Sequence, residues 1–469
     1  MKRPLCQVNA RCALVTSAIF AFLACTASSL SGCPNEGLES GGSIQKLRRF
    51  MESHGANVSH LCVKQSPSGG RGLFSNQPLH AQQPIFSVPE DAIMDPVKPR
   101  PGDVASVMRK HSPKPITDAL MFFILACRRL DRCSKHWSAL LQSFPPPSEM
   151  HLPSLWRSSE RELLKGTNAY LSLEREDRTI SQSYDTVNAA LRASQLPDAA
   201  ADEVRYIHAI IVSRAFDLKF PGRENITRVL IPFVDLFNHS PGVEILYEFE
   251  SVGLQQALRF KVSTNASVAI DSEVFVNYGN SDSSSGSMFL QYGMSVPASA
   301  FDNFQIMPSI AHDSLFDAKQ EALRAAGIDV NVPDAALSIS LSGDVPGKLL
   351  CCVAVLTSNQ TYTQRLYDIA QGHFLPKSLE IASLKTLSQG ISSIMDGFPS
   401  DFESVERVHP VRLALVRHQV KLEKLILSRC ALEQRRRALL LHALHFFIFA
   451  QGPEKNKKTG AHIGAGAGG

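Results

Sequence analysis

Two short polar clusters, each placed directly after an apolar segment, hold the residues best suited to chemistry. The first cluster has the pattern Asp235-x-x-Asn238-His239, and the second has Tyr278, with Tyr292 fourteen residues later. Buried polar groups need partners, so the first cluster predicts either a ligand site or an Asx turn with a surface histidine. A tyrosine that closes a strand and precedes a glycine, as Tyr278 does, can be a functional side chain, or it can simply mark the edge of a sheet.

Two further clusters carry less information when they are taken alone. Three glycines occur within the segment Gly69–Gly72, where they allow positive φ and close approach of the backbone to a ligand. The alternative is an ordinary glycine-rich hairpin. Arg214 lies at the end of a predicted helix, where its guanidinium can pair with a carboxylate through two hydrogen bonds. A surface helix position is the alternative for this arginine.

The composition is that of a globular protein whose main ligand is not nucleic acid. The chain has 469 residues, of which 44% are hydrophobic and 20% are charged, and its net charge is +4. This length suits two domains plus tails, and phosphate binding normally needs a concentrated basic face. None of the ten cysteines forms a C-x-x-C pair, so the sequence predicts no structural metal and favours a reduced compartment.

The N-terminus has the form of a targeting sequence. The basic residues Lys2, Arg3 and Arg11 precede an apolar run over residues 13–27, as in a secretory signal or the first part of a plastid presequence. The run is short for a membrane span, which needs about 20 apolar residues, so no stable membrane span is expected. A bacterial lipoprotein box at Leu30–Cys33 and an uncleaved leader are the alternatives.

One sequon bears on the targeting route. Asn238-His239-Ser240 is a formal N-glycosylation site, and passage through the endoplasmic reticulum would risk a glycan within the candidate active site. This sequon argues against secretion of the protein. We therefore expect delivery to a plastid or another organelle, with the cytoplasm as the alternative. Four other asparagines also open sequons: Asn57, Asn225, Asn265 and Asn359.

The hydrophobic pattern predicts a β-rich core, a helical insert, a second β-rich part and a helical C-terminal region. The apolar spacing changes to a helical period from about Ile116, and a further helix is expected from about Ala199 to Phe216. Strands are expected at residues 85–89, 229–232, 245–249, 258–262 and 274–278.

The longest helix is expected from Val411 to about Phe449, because neither proline nor glycine interrupts this segment. The Gly- and Lys-rich tail over residues 451–469 is expected to be disordered. The apolar side of the long helix is expected to consist of Leu413, Val416, Val420, Leu422, Leu425, Ile426, Cys430 and Leu432.

In this order and spacing, the four polar and glycine-rich clusters resemble the SET domain. More narrowly, they are similar to the branch that includes the Rubisco large-subunit lysine methyltransferases and the actin-histidine methyltransferases. The apolar stretch Leu349–Val353 and the helix that holds Leu422 and Leu425 resemble the substrate-binding domain of that branch. The resemblance implies an α+β fold, in which a β-rich SET domain with a helical insert precedes an all-α substrate-binding domain.

The resemblance also sets the domain boundaries that we expect. The cysteine-rich flanks of many histone methyltransferases are missing from this sequence. The expected units are a leader and linker over residues 1–42, a SET catalytic domain over 43–296 with its insert at about 107–205, and a helical substrate-binding domain over 309–450.

S-Adenosylmethionine is the cofactor that the resemblance implies. The backbone of Gly70-Arg71-Gly72 would cradle it, and Arg214 would hold its carboxylate. Asn238 and His239 would bind its amino and adenine parts, partly through the backbone.

The same resemblance places Tyr278 at the methyl-transfer channel, with Tyr292 lining it and Asp235 supporting the loop. Methyl transfer mainly requires that nitrogen, methyl and sulfur are aligned and that water is excluded. A lysine acceptor must first lose a proton, since its ordinary pKa is about 10.4, but no metal is needed. Tyr278 is therefore expected to orient and stabilise rather than to act as a general base.

The chain departs from this family just after the catalytic tyrosine. The family has a Ser-Asn pair there, whereas the segment Asp282–Ser287 is serine-rich and one residue longer. Three functions stay open: a lysine methyltransferase, a histidine methyltransferase, or a SET-fold binding module with little activity. A protein is the expected partner and nucleic acid is not, while the sequence gives no indication of the oligomeric state.

Overall fold

The computed structural model describes residues 42–450, apart from 68, 253–256, 279–282, 331–336, 401 and 403–407. The predicted leader, except for Gly42, and the predicted tail lie outside the described residues. Helices predominate, and short strands form small sheets between them.

The strands form several small sheets rather than one large sheet. They are β1 (Leu61–Gln65), β2 (Arg71–Ser75), β3 (Pro84–Pro89), β4 (Phe216–Leu218), β5 (Thr227–Val229), β6 (Asn238–His239), β7 (Ile245–Val252), β8 (Ala257–Thr264), β9 (Phe275–Val276), β10 (Asn303–Gln305) and β11 (Ser338–Ser340). The antiparallel pairs are β1–β2, β4–β5 and β10–β11, and β8 lies between β3 and β7 in an antiparallel sheet. The remaining pair, β6–β9, is parallel.

The predicted strands are confirmed except at the two segments that lead into the candidate site. Of the strand expected at residues 229–232 only the first residue belongs to β5, and the strand expected at 274–278 shrinks to β9. These two predictions are wrong in length. Pro232 cannot donate a ladder hydrogen bond, and both segments continue as irregular backbone that carries polar side chains.

The helices form three groups along the chain. α1 (Ser43–Ser53) precedes the strands. The insert between β3 and β4 comprises α2 (Gly102–His111), α3 (Ile116–Arg129), α4 (Asp131–Ser143), α5 (Ser158–Arg161), α6 (Asn168–Ala193) and α7 (Ala201–Arg214). After β9 come α8 (Ser285–Tyr292), α9 (Phe316–Ala325), α10 (Gly347–Thr357), α11 (Leu366–Ala370), α12 (Lys377–Asp396) and α13 (Pro410–Ala450).

Two large hydrophobic cores hold these elements together. The first lies between the small sheets and the insert, where α3 is buried all round from Leu120 to Cys127. The second lies among the C-terminal helices, including α10 and α13. α6 belongs to both cores, since Leu173 near its start packs in the second core and Val187 near its end packs in the first. α6 therefore ties the insert to the C-terminal region.

A buried carboxyl reinforces this tie. Glu423 of α13 is 2% exposed and accepts hydrogen bonds from the backbone N–H groups of Asn168 at 2.8 Å and Ala169 at 3.2 Å. Gln419, one turn earlier on α13, donates to the same carboxyl at 2.9 Å. The first N–H groups of a helix lack partners within it, so Glu423 caps α6. Burial raises the pKa of Glu423 to about 7, although these donors act in the opposite direction.

α13 confirms the predicted long helix but not the whole of its predicted apolar side. Val416 and Ile426 are buried as expected, whereas Leu425 and Leu432 are exposed. The prediction is wrong for these two leucines. They lie seven residues apart and so share one face of the helix, and this face does not pack against the second core.

Two cysteines of the helical insert differ from the expectation. Cys127 and Cys133 form a disulfide between the end of α3 and the start of α4. The expectation of reduced cysteines is therefore wrong for this pair, which no sequence motif marks. Cys352 is a free, buried thiol in α10.

Within the part of the chain that the structure describes, no group of three or more His, Cys, Asp or Glu side chains is placed to hold a metal ion. Over the same residues, none of the helices combines the length and the apolar character that crossing a membrane requires.

Candidate active site

The candidate site forms where β2 meets the parallel pair β6–β9. The N–H of Val274 donates to the carbonyl of Leu73 at 2.7 Å, and the N–H of Ser240 donates to the carbonyl of Val276 at 2.9 Å. The chain around β9 is thereby held between β2 on one side and the end of β6 on the other. Sequence clusters that are far apart along the chain meet at this point.

An uncommon backbone conformation at Phe233 shapes the turn that leads into β6. Phe233 has a φ of 69°, which is rare for a residue other than glycine. Its side chain is fully buried, and its ring meets the ring of Phe86 edge-on at 6.5 Å. Packing of this ring holds the turn, which sends the next polar residues, Asp235 and Asn238, into the site.

A hydrogen-bond network fixes the side chain of Asn238. Its Nδ2 donates to Oε1 of Glu273 at 2.7 Å and to the carbonyl of Arg71 at 3.2 Å. Ser66 Oγ donates to the other carboxylate oxygen of Glu273 at 2.8 Å. Both N–H groups of the Asn238 amide are thus used within the protein, and its Oδ1 is left to accept a hydrogen bond from a ligand.

Gly72 is required beside this network. A Cβ at this position would overlap Glu273 Oε1 and would lie 2.8 Å from Asn238 Nδ2. The absence of a side chain therefore allows the backbone of β2 to lie directly against the asparagine–glutamate pair.

Two arginines and one buried carboxylate lie next to Asn238. Arg214 Nη1 donates to the backbone carbonyl of Asp235 at 2.8 Å and to its Oδ2 at 3.3 Å. The Asp235 side chain is only 3% exposed, and burial raises the pKa of its carboxyl, opposed by Arg214 and Arg71. Burial lowers the pKa of Arg71, and the nearby charge of Arg214 lowers it further.

The charges of this cluster favour an anion. Two guanidinium groups face one buried carboxylate, which leaves one positive charge in excess among these three side chains; the charge of Glu149, which also acts on Arg71, lies on an exposed residue. Among the described residues, Nε of Arg214 and Oδ1 of Asp235 are buried without a hydrogen-bond partner. A carboxylate is the ligand group that arginine binds best.

His239 connects these residues to Tyr278. The backbone N–H of Tyr278 donates to Nδ1 of His239 at 3.1 Å, and the two rings lie 5.5 Å apart. Burial lowers the pKa of His239. The imidazole is therefore neutral near pH 7, with its proton on Nε2 because Nδ1 is an acceptor.

Tyr278 and Tyr292 form a tyrosine pair with ring centroids 4.6 Å apart. The hydroxyl of Tyr278 donates to the carbonyl of Phe237 at 2.5 Å, and the hydroxyl of Tyr292 donates to the carbonyl of Tyr278 at 3.5 Å. Burial raises the pKa of both phenols. Both tyrosines are therefore protonated near pH 7, and neither is suited to act as a general base.

The serine-rich segment after Tyr278 has an ordered role where it is described. Asp302, which is 2% exposed, accepts from the backbone N–H of Ser285 at 2.6 Å and from its hydroxyl at 2.8 Å. Ser284 caps α8 by accepting from the N–H of Ser287 at 3.1 Å. These contacts hold the start of the helix that ends at Tyr292. The beginning of the segment, residues 279–282, lies outside the described residues.

The structure brings most of the predicted site residues together, with one exception. Gly70 has a φ of 68° and open space around it, so it serves the turn between β1 and β2, as the hairpin alternative predicted. The sequence did not assign a role to Glu273. A carboxylate placed directly before the apolar segment Val274–Val276 was the available signal. The residues that meet are Arg71, Gly72, Arg214, Asn238, His239, Tyr278 and Tyr292.

The chain is similar to known protein methyltransferases and to a family of substrate-binding domains. Residues 311–437 match the family model described as Rubisco LSMT substrate-binding. The chain is 24% identical over 301 residues to the chloroplastic ribulose-1,5-bisphosphate carboxylase/oxygenase large subunit N-methyltransferase of Pisum sativum, across 61% of this chain and 58% of that protein. It is 23% identical over 301 residues to the actin-histidine N-methyltransferase of Xenopus tropicalis, across 60% of this chain and 48% of that protein.

A solved structure shows the same fold. The crystal structure of the SET domain of LSMT bound to lysine and AdoHcy matches with a TM-score of 0.69 at 18% identity, over 90% of this chain and 97% of that chain. The predicted α+β fold is thus confirmed, as is the resemblance to both methyltransferase groups. The chain spans less than two thirds of the length of the two curated relatives, at 58% and 48%.

Proposed function

We propose that this chain is a protein methyltransferase that uses S-adenosylmethionine to methylate a lysine side-chain nitrogen on another protein. One observation carries this proposal: the hydrogen bond of 3.1 Å between the Tyr278 N–H and His239 Nδ1. It joins the segment suited to a cofactor, β6, directly to the tyrosine pair suited to a channel. Cofactor binding and transfer would therefore occur in one continuous site.

The residues present fit S-adenosylmethionine. The cofactor carries a carboxylate and an ammonium group on one end. The excess positive charge of Arg71 and Arg214, with the unpartnered buried Nε of Arg214, suits the carboxylate. Because both N–H groups of Asn238 are already bonded to Glu273 and Arg71, its Oδ1 is the atom that would accept from the ammonium. When it is bound, the cofactor supplies an electrophilic methyl group on a sulfonium.

The tyrosine pair would align the acceptor and exclude water. Tyr278 and Tyr292 pack ring against ring at 4.6 Å, and backbone carbonyls accept from their hydroxyls. Aromatic faces and carbonyl dipoles attract cations. They therefore reduce the repulsion between a protonated acceptor amine and the sulfonium, compared with purely apolar walls. A neutral amine is nevertheless the form that attacks, since burial disfavours the charged form of lysine.

Lysine is preferred over histidine as the acceptor. The matched structures of LSMT contain lysine or methyllysine, while the similarity to an actin-histidine methyltransferase supports histidine as the second candidate. The match of residues 311–437 to a substrate-binding family supports a protein as the substrate.

A binding module without activity is the other alternative. Its support was the altered serine-rich segment after the catalytic tyrosine. The contacts of Ser285 with Asp302 argue against it, because they hold α8 and hence Tyr292 in place.

Transfer of a labelled methyl group followed by residue analysis tests the proposal. The full chain is incubated with methyl-labelled S-adenosylmethionine and a protein extract, and the proteins are then hydrolysed to amino acids. Label in methyllysine that is lost with Tyr278→Phe supports the proposal. Label in methylhistidine would replace lysine by histidine, and no label from a chain that binds the cofactor would favour the binding module.

A further inference from the structure

A row of exposed leucines runs along α13 in the substrate-binding region. Leu425, Leu432 and Leu439 are 40%, 71% and 70% exposed. They lie seven residues apart, and residues spaced by seven share one face of a helix. Scattered exposed apolar residues are ordinary, but a row at heptad spacing is the pattern by which one helix packs against another.

Positive charge surrounds this row. Lys421 precedes it by one turn, and the positions three and four residues from Leu432 include Arg429, Arg435 and Arg436, all exposed. Arg429 donates to the carbonyl of Leu341 and Arg435 to the hydroxyl of Ser388, which are neutral groups. Within the described part of the chain, no acidic side chain forms an ion pair with these four cations. Glu433, an exposed carboxylate next to Leu432, lies four residues from Arg429 and three from Arg436. The four cations outnumber it, so the face carries a net positive charge.

We propose that this face of α13 docks an acidic, leucine-bearing helix of the protein substrate. The leucines would supply the apolar seam, and acidic residues beside the partner's own leucines would pair with Lys421, Arg429 and Arg436. A second copy of this chain is a poorer occupant, because two such faces would place like charges opposite each other. The inference rests on the proposed function only in taking the docked protein to be the substrate.

Peptide binding to the full chain tests this proposal. The probe is a fluorescent synthetic peptide of about 20 residues, long enough to be helical, with leucine at every seventh position and glutamate beside each leucine. A matched peptide carries lysine in place of glutamate. We expect the acidic peptide alone to bind, with an affinity that falls as salt rises.

Variants of exposed residues locate the binding face. Leu432→Ser is expected to weaken acidic-peptide binding about tenfold, because it removes apolar surface from the centre of the seam. Arg436→Glu is expected to weaken it by a similar factor. The control Ile270→Ser, also exposed at 56% but lying between β8 and β9 and outside α13, is expected to change binding less than about twofold.

Several outcomes would overturn the inference. They are no binding of the acidic peptide, equal binding of both peptides, or equal effects of the Leu432 and Ile270 variants. Sedimentation of a dimer that Leu432→Ser dissociates would assign the face to a second copy. Binding to phosphatidylserine vesicles that Leu432→Ser abolishes would assign it to a membrane surface.

Cofactor titration on the same samples separates this inference from the proposed function. Leu432→Ser is expected to bind S-adenosylmethionine as the unchanged chain does. Loss of peptide binding with intact cofactor binding locates the docking face. Absence of cofactor binding in the unchanged chain would refute the proposed function and leave the peptide result standing.

Discussion

The backbone N–H of Tyr278 donates a 3.1 Å hydrogen bond to Nδ1 of His239. This bond connects β6, where Asn238 lies beside the arginine cluster, to the tyrosine pair. It also requires a neutral imidazole, and burial lowers the pKa of His239 and so keeps the ring neutral near pH 7. Because Nδ1 of His239 accepts this hydrogen bond, we assign His239 a structural role and not the role of a base.

Replacement of Tyr278 by phenylalanine should separate binding from turnover. Tyr278→Phe removes the hydroxyl that donates to the Phe237 carbonyl but keeps the ring against Tyr292. We expect S-adenosylmethionine to bind within a few-fold of the unchanged chain, as measured by calorimetry, while labelled methyl transfer falls by at least about 100-fold. Tyr367→Phe, at a tyrosine that is 55% exposed, serves as the control. Unchanged turnover in Tyr278→Phe would refute the assigned role.

Asn238 and Glu273 should act as a unit in cofactor binding. Glu273 accepts from the Asn238 amide at 2.7 Å, so Glu273→Ala frees that amide to rotate away from its present orientation. Each of Asn238→Ala and Glu273→Ala is expected to weaken S-adenosylmethionine binding about tenfold.

A double-mutant cycle measures whether the two residues are coupled. The double variant should bind little worse than either single variant, because groups that share one network do not contribute additively. Full additivity in the calorimetric titrations would mean that Glu273 does not orient Asn238.

Glu423 should make the free energy of unfolding depend on pH. Its pKa in the folded chain is about 7, above the ordinary value of 4.5. The folded state therefore binds this proton more tightly than the unfolded state. The stabilisation is fully present below about pH 4.5 and is lost as the pH rises to about 7.

Comparison with a glutamine variant isolates this effect. Glutamine does not titrate, so Glu423→Gln lacks this pH-dependent loss. Its free energy of unfolding, relative to that of the unchanged chain, should therefore rise by about 3 kcal/mol between pH 4.5 and 7.5. Urea unfolding at both pH values measures the difference. Glu433→Gln, at an exposed position on the same helix, is the matched control. A parallel pH profile for Glu423→Gln and the unchanged chain would rule out the assigned titration.

Gly293 should be intolerant of any side chain. It has a φ of 65° at the end of α8, and a Cβ there would overlap the His151 carbonyl group and lie 2.7 Å from the N atom of Leu152. Gly293→Ala is expected to destabilise the fold by about 1–3 kcal/mol and to slow methyl transfer, because α8 carries Tyr292. Gly390→Ala, in α12 with open space around it, should instead stabilise by about 0.5–1 kcal/mol. Equal effects of the two substitutions on urea unfolding would contradict this account.

Sequence patterns predicted the elements more fully than the site. Helical spacing located α3, α7 and α13, since long periodic segments carry a repeated signal. The strands at residues 229–232 and 274–278 were predicted too long, because apolar composition does not distinguish a strand from buried irregular backbone. Burial on α13 was predicted wrongly at Leu425 and Leu432, because the sequence alone does not distinguish an apolar residue on a core face from one on an exposed face.

The sequence did not predict which residues far apart along the chain would contact each other. Asn238 and His239 stood out because polar residues followed an apolar segment, but their contacts with Glu273 and with the Tyr278 backbone depend on how distant segments meet. The same holds for Glu423, whose two backbone donors lie 255 and 254 residues away. Only the folded chain brings these groups together.

Calorimetric titration of S-adenosylmethionine into the full chain tests the central claim most directly. The account predicts saturable binding that Arg214→Ala weakens at least about tenfold, because this arginine supplies part of the excess positive charge next to Asp235. The control Arg324→Ala, at an exposed position on α9, should bind as the unchanged chain does. No binding by a folded sample, or equal binding by the Arg214 and Arg324 variants, would contradict the account.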